Sequence, residues 1–265
     1  MKYVNNLWIA LLLLLTVGVT SCMNSFEEMT PENGGVVEVL KNGDMVYFKD
    51  VLGKIIYPTP GSLKSVSENN KFDAEKSKTA YVLYKYDVEN AESGLVRDAD
   101  LFYAAKLDGT VEKVEKAGAP NDSVATSAII SVDKVMLEQK DDLFVMNNRY
   151  LLLGVNYVTA ENLHFFTVTY NNDELGEKEL KLYLRQTGTP EKDGIFRTSE
   201  EYFRAGYPFM YLFTFDLKEA FELWRMQHPD AMAVDLVLEA DVNILNSRLD
   251  SSSKKQYRAN YKFRD

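Results

Sequence analysis

The chain has 265 residues, a formal net charge of −10, and 46% apolar and 12% aromatic residues. That composition belongs to a globular chain rather than a disordered one, and the length suits one large domain or two small ones. The acidic balance opposes binding to nucleic acid or to an anionic leaflet, and with Cys22 as the only cysteine no internal disulfide can form.

The chain opens with one basic residue, Lys2, and an apolar run from Leu7 to Val19. The run is shorter than the ~20 residues a membrane span needs. A basic start, an apolar core and a small-residue exit make a secretory signal over residues 1–21. No Ala-x-Ala exit is present; Val19-Thr20-Ser21-Cys22 instead resembles the lipobox of bacterial lipoproteins. That resemblance implies cleavage before Cys22 and acylation of its sulfur. It also gives the lone thiol of an exported protein a purpose. Loss of Lys2 with the signal takes the net charge from −10 to −11. Residues 22–35 lack an apolar period and read as a lipidated tether. Glu27 and Glu28 resemble the acidic export signals that follow some lipidated cysteines; a solvated linker explains them equally.

Residues 36–137 read as an OB-like barrel. Strands are expected at Val36–Leu40, Met45–Asp50, Lys54–Tyr57, Thr79–Asp87, Leu101–Leu107, Thr110–Val114 and Ala128–Leu137. Asn42-Gly43 is a hairpin signal, and Pro58-Thr59-Pro60-Gly61 a break. Short strands this dense suit a small closed barrel. The charged stretch Glu138–Asp142 marks the expected boundary.

Residues 138–265 read as a C-terminal antiparallel β-sandwich carrying one short helix. Its strands are expected at Arg149–Thr159, Leu163–Tyr170, Glu179–Gln186, Pro208–Phe215, Ala233–Ile244 and Gln256–Phe263. Thr198–Gly206 could form a further short helical turn. Leu217, Ala220, Phe221 and Trp224 fall on one helical face. Asp216 is placed to cap that helix, with Glu219 completing a box-like pair and Pro229 beyond its end. Trp224 is read as a core anchor. The mostly β fold class follows: barrel first, sandwich second.

Several of these segments resemble the NigD-like lipoproteins. The features are the lipobox at Cys22, Val46-Tyr47-Phe48 with Ile55-Ile56-Tyr57-Pro58, and Ile129 to Val135. In the second half they are Phe165 to Tyr170, Leu180 to Arg185, and Phe215-Asp216-Leu217. The resemblance covers nearly the whole mature chain and implies an N-terminal OB barrel with a C-terminal β-sandwich. It brings no catalytic residues. The chain departs from the family pattern in the loop Gly188–Tyr207 and in the helix after Asp216.

No residue pattern recommends catalysis, a cofactor or a metal. His164 and His228 are the two histidines, in different segments and without a cysteine partner, whereas zinc takes several such ligands. Asp98 with Asp100, Asp141 with Asp142, and Glu200 with Glu201 read as solvated faces, because paired acid–base carboxylates need a defined separation across a cleft. Tyr47, Phe48, Tyr81 and Tyr84 fill a core or, exposed, could stack on sugar rings. Asn121-Asp122-Ser123 contains an Asn-x-Ser acceptor, and Asp122-Ser123-Val124 resembles the Asp-Ser-aliphatic triplet that some Gram-negative phyla O-glycosylate in exported proteins, which makes Ser123 a candidate glycosylation site beside the reading as an ordinary loop serine. The expected role is a non-enzymatic module, held at the outer membrane by its lipid and facing the periplasm or the cell surface. Its partner is an unknown protein, or alternatively a glycan, and not nucleic acid.

Overall fold

The structure, a computed structural model, describes residues 33–115, 127–136, 138–157, 164–171, 176, 178–188, 210–244 and 249–263. The first half is a closed barrel. Its strands are β1 (Asn33–Asn42), β2 (Met45–Asp50), β3 (Ile55–Pro58), β4 (Thr79–Lys85) and β6 (Leu95–Lys106), with the short β5 (Ala91–Glu92) on its rim. The order β3-β2-β1-β4-β6 closes through a parallel pairing of β3 with β6. Strand β1 runs two residues further than the expected end at Leu40, pairing Asn42 with Met45, so the turn is Gly43-Asp44 with φ +61° at Gly43. Val37, Phe48, Ile56, Val82, Val96 and Leu101 fill the barrel.

Between β3 and β4 lies a helix that the proline break concealed, α1 (Pro60–Asn70). The Thr59 side chain accepts from the Ser62 N–H at 3.2 Å, and Pro60 sits in the first turn, where its missing donor does no harm. Val66 is its buried anchor. The first half of β6 was also unexpected. Asp98 takes φ +52° there, and the register against β3 and β4 shifts, so Val96, Ala99, Leu101 and Ala104 point inward without a strict two-residue period.

The second half is a sandwich. One sheet centres on β10 (Tyr150–Asn156), which pairs with β13 (Met210–Asp216) on one edge and with β8 (Ser131–Asp133) and β9 (Phe144–Met146) on the other. The other sheet runs β15 (Ser253–Lys262), β14 (Ala233–Val242), β12 (Glu179–Gly188), β11 (His164–Tyr170), β7 (Thr110–Lys113). This sheet is mixed rather than purely antiparallel: β12 pairs parallel with β14, and β11 with β7. The chain passes through β13 and α2 (Lys218–Gln227) between β12 and β14, a connection long enough for a parallel return. Leu180, Leu182 and Leu184 face Leu151, Leu153 and Val155 in one core, and Phe221 and Trp224 of α2 join it.

Two strands expected in the barrel pair elsewhere. β7 joins β11, and β8, the strand found among the described residues of the expected Ala128–Leu137 stretch, joins β10. The reason is geometric: β3–β6 pairing has already closed the barrel, which leaves no edge for another strand. The ladders of the barrel therefore end at Lys106.

Candidate functional site

The two bodies meet on the outer face of β10. Leu151, Leu153 and Val155 point into the sandwich, while Tyr150 and Leu152 point the other way, against Val36 of β1 and Met146. Burial on both faces explains the unbroken apolar run Tyr150-Leu151-Leu152-Leu153. The crossing segment Leu107–Gly109 is stitched to both sides. Leu107 N–H donates to Thr79 O, and Gly109 N–H donates to Thr214 O at 2.8 Å. The Asp108 carboxylate accepts from the Lys78 and Thr79 N–H groups and from Thr79 Oγ1, and Thr79 Oγ1 shares a short hydrogen bond with Thr214 Oγ1.

Asp216 is the electrostatic centre of the junction. Its carboxylate accepts a fork from Arg149, Nε at 2.8 Å and Nη2 at 2.6 Å, and a bond from Lys78 Nζ of the barrel at 2.8 Å. Partial burial raises its pKa, but the bonds from Arg149 and Lys78 outweigh that and hold the carboxyl well below the usual carboxylate range. Asp216 also accepts from the Lys218 N–H, as a cap would, at 3.2 Å. The box with Glu219 is not formed: Leu217 takes the cap position, and Glu219 lies by the Tyr170 phenol, which burial and that carboxylate push up to about 12.

Two clefts flank the junction. The first, of about 600 Å³, is bounded by Lys76, Lys78, Lys106 and Lys218. Each of these lysines already has a carboxylate partner: Asp73, Asp216, Asp108 and Glu222 respectively. Its charges are already paired within the protein. The second cleft, of about 580 Å³, lies between the β2–β3 turn of the barrel and the β15 edge of the sandwich. Lys49 and Lys262 line it with Asp141, Phe144, Asn148 and Tyr261, and neither lysine makes an ion pair with a described residue. Asn147 and Asn148, both at positive φ, turn the β9–β10 hairpin, and Tyr261 Oη donates to Asn148 Oδ1 at 3.1 Å. This second cleft is the candidate site. Its residues come from three distant stretches, around Lys49, Phe144 and Tyr261, and no local motif announces them.

Of the expected site residues, Cys22 and Ser123 lie outside the described residues, as do Glu200 and Glu201. His164 begins β11. His228 ends α2, its ring stacked 4.4 Å from Trp224 and its Nδ1 2.9 Å from Trp224 O. Trp224 is wholly buried, as an anchor should be. Asp98, Asp100, Asp141 and Asp142 are exposed, and among the described residues no three His, Cys, Asp or Glu side chains gather to hold a cation. The aromatics proposed as a sugar platform are dispersed: Phe48 and Tyr84 are in the barrel core, Tyr81 packs at the junction, and Tyr47 stacks on Tyr57.

No family model and no curated protein matches this chain. Solved structures do. A candidate lipoprotein from Bacteroides fragilis superposes with a TM-score of 0.65 at 18% identity, over 89% of this chain and 100% of its own. The two share one fold. A candidate toxin-related protein from Parabacteroides distasonis follows at 0.52 and 14%, over 88% and 94%. A NigD-like immunity protein from Bacteroides caccae aligns over 85% and 92% at 9% identity, with a TM-score of 0.48. At 18% and 14% identity the likeness to the first two is one of fold alone.

Proposed function

We propose that this protein is an exported lipoprotein, anchored through Cys22, whose barrel and sandwich act as one rigid, non-enzymatic interaction or assembly module for another envelope protein. The observation that carries the reading is the junction. An apolar cluster around Tyr150 and Leu152 and the Arg149–Asp216–Lys78 group tie the two bodies together, so that surfaces from both face a partner in fixed register. The lipobox supports the address, and so does the shared fold with a candidate lipoprotein. Acyl chains at about 0.8 kcal/mol per buried CH₂ make a stable anchor only when several are attached, as lipoprotein processing provides. The setting is the outer membrane, on its periplasmic face or at the cell surface. The glycan alternative has lost the barrel platform on which it stood.

Growth of the native host on radiolabelled palmitate tests the address. The wild-type protein takes up label and sediments with membranes, whereas Cys22→Ser stays unlabelled and is released. Equal labelling of the two proteins refutes the anchor.

A further inference from the structure

We propose that the free edge of β15 receives an extended, acidic segment of a partner protein by strand addition in the second cleft. This rests on the interaction-module reading and gives that module its docking site. Backbone groups of a strand point alternately toward and away from its neighbour. Phe263 N–H bonds to Met232 O at 3.0 Å, so the odd-numbered end of β15 faces β14. Arg258 faces away: its carbonyl accepts from the Asp142 N–H at 2.9 Å, and its own N–H donates to Asp142 Oδ2 at 3.3 Å. Asn260 and Lys262 share that parity. Across the ladder, Asp235 opposite Asn260 gives its N–H to Lys178 O instead. The backbone groups of Asn260 and Lys262 therefore open into the cleft, and no described residue bonds to them. Asp142 starts a ladder on this edge; the chain then turns into Leu143 and β9, and the ladder stops. The cleft is the place of the missing strand.

The lining chooses the sequence of that strand. Among the described residues Lys49 and Lys262 stand without carboxylate partners, in contrast to all four lysines of the first cleft. Asp141 is the one carboxylate in the lining. Val51 and Phe144 provide apolar contacts, and Leu52, 84% exposed, stands at the rim. An added strand shows alternate side chains to opposite sides. One set meets the apolar wall and the other, if acidic, meets the two ammonium groups.

Fluorescence anisotropy on the full mature protein tests the proposal with two labelled octapeptides, one alternating glutamate and valine, the other lysine and valine. The glutamate peptide binds saturably and the lysine peptide does not. Lys49→Glu combined with Lys262→Glu weakens binding at least about tenfold. Asn260→Pro removes an outward donor that the β14 ladder does not use, an exchange edge strands accept; it melts close to wild type and also weakens binding about tenfold or more. The proposal is overturned if folded Asn260→Pro binds like wild type, or if both peptides bind equally. It also falls if the glutamate peptide fails at millimolar concentration, including the case where tetragalacturonate binds in its stead. A photo-crosslinker at Leu52 in native membranes separates the two claims. Partner capture from other surfaces but never from Leu52 removes this site and leaves the module reading standing.

Discussion

Replacing Asp216 with alanine should loosen the junction between barrel and sandwich without touching either core. The carboxylate is 17% exposed, Arg149 34% and Lys78 58%. Hydrogen bonds to charged groups contribute about 1.5–3 kcal/mol each when shielded, and exposed pairs under about 1. Discounting the Arg149 fork for its one-third exposure to about 1.5–2 kcal/mol in all, and adding a few tenths for Lys78, Asp216→Ala costs about 2 kcal/mol. In a double-mutant cycle, Arg149→Ala and Asp216→Ala should couple by about 1.5–2 kcal/mol, and Lys78→Ala with Asp216→Ala by under about 1. Urea unfolding reads this in two ways. In the lipoprotein proposed above Trp8 departs with the signal, so Trp224, buried in the sandwich core, is then the only tryptophan and reports that body alone. Far-ultraviolet circular dichroism reports both bodies. The two transitions coincide in the wild type and separate in Asp216→Ala, with one body melting ahead of the other. A coupling below about 0.5 kcal/mol between Arg149 and Asp216, with transitions still coincident, would refute the argument and leave the ties between the bodies to the apolar cluster and to the hydrogen bonds of Asp108, Thr79 and Thr214.

Two glycines give a paired prediction. A Cβ on Gly109 would lie 2.3 Å from the Phe215 ring, which is wholly buried and cannot yield, so Gly109→Ala should lower stability by about 1–3 kcal/mol or more in urea titration. A Cβ on Gly154 would meet the Met210 sulfur at 2.4 Å, but Met210 is 43% exposed and can swing aside, so Gly154→Ala should cost clearly less; equal losses would contradict this account. Acid provides a third test. The folded pKa of Asp216 lies below its unfolded value of about 4, so its contribution is present above that pH and lost as pH falls toward the folded value. The urea midpoint should drop below pH 4 more steeply in the wild type than in Asp216→Asn, and parallel curves would contradict it. Tyr84 and Tyr170 act at the other end: burial pushes both up to about 12, so their contribution holds below about pH 10 and fades as alkali approaches 12.

Much of the architecture was legible because apolar residues repeat with the period of their element. Leu180, Leu182 and Leu184 alternate as a half-buried strand should, and Leu217, Ala220, Phe221 and Trp224 mark the inner face of α2. The helix α1 escaped notice because Pro-Gly reads as a break, yet Thr59-Pro60 is equally a helix start; its two apolar residues, Leu63 and Val66, gave too little period to decide. The first half of β6 was hidden by Arg97, Asp98 and Asp100 and by a bulge that disturbs the alternation. Strand partners are a different matter. Nothing local tells Thr110 to align with Thr167, since that choice was made when β3 and β6 closed the barrel. The candidate cleft was invisible for the same reason. Lys49, Asn148 and Lys262 are ordinary polar residues until the fold places them around one gap.

The parallel pairing of β7 with β11 bears on how the chain is made. Synthesis runs from the amino end, so the barrel can close while β7 still waits for β11, which emerges only after β8, β9 and β10. A waiting strand is a template for wrong association. Thr110-Val111-Glu112-Lys113 is short, carries two charges and offers a single aliphatic side chain, a sequence that attracts few strangers during the delay.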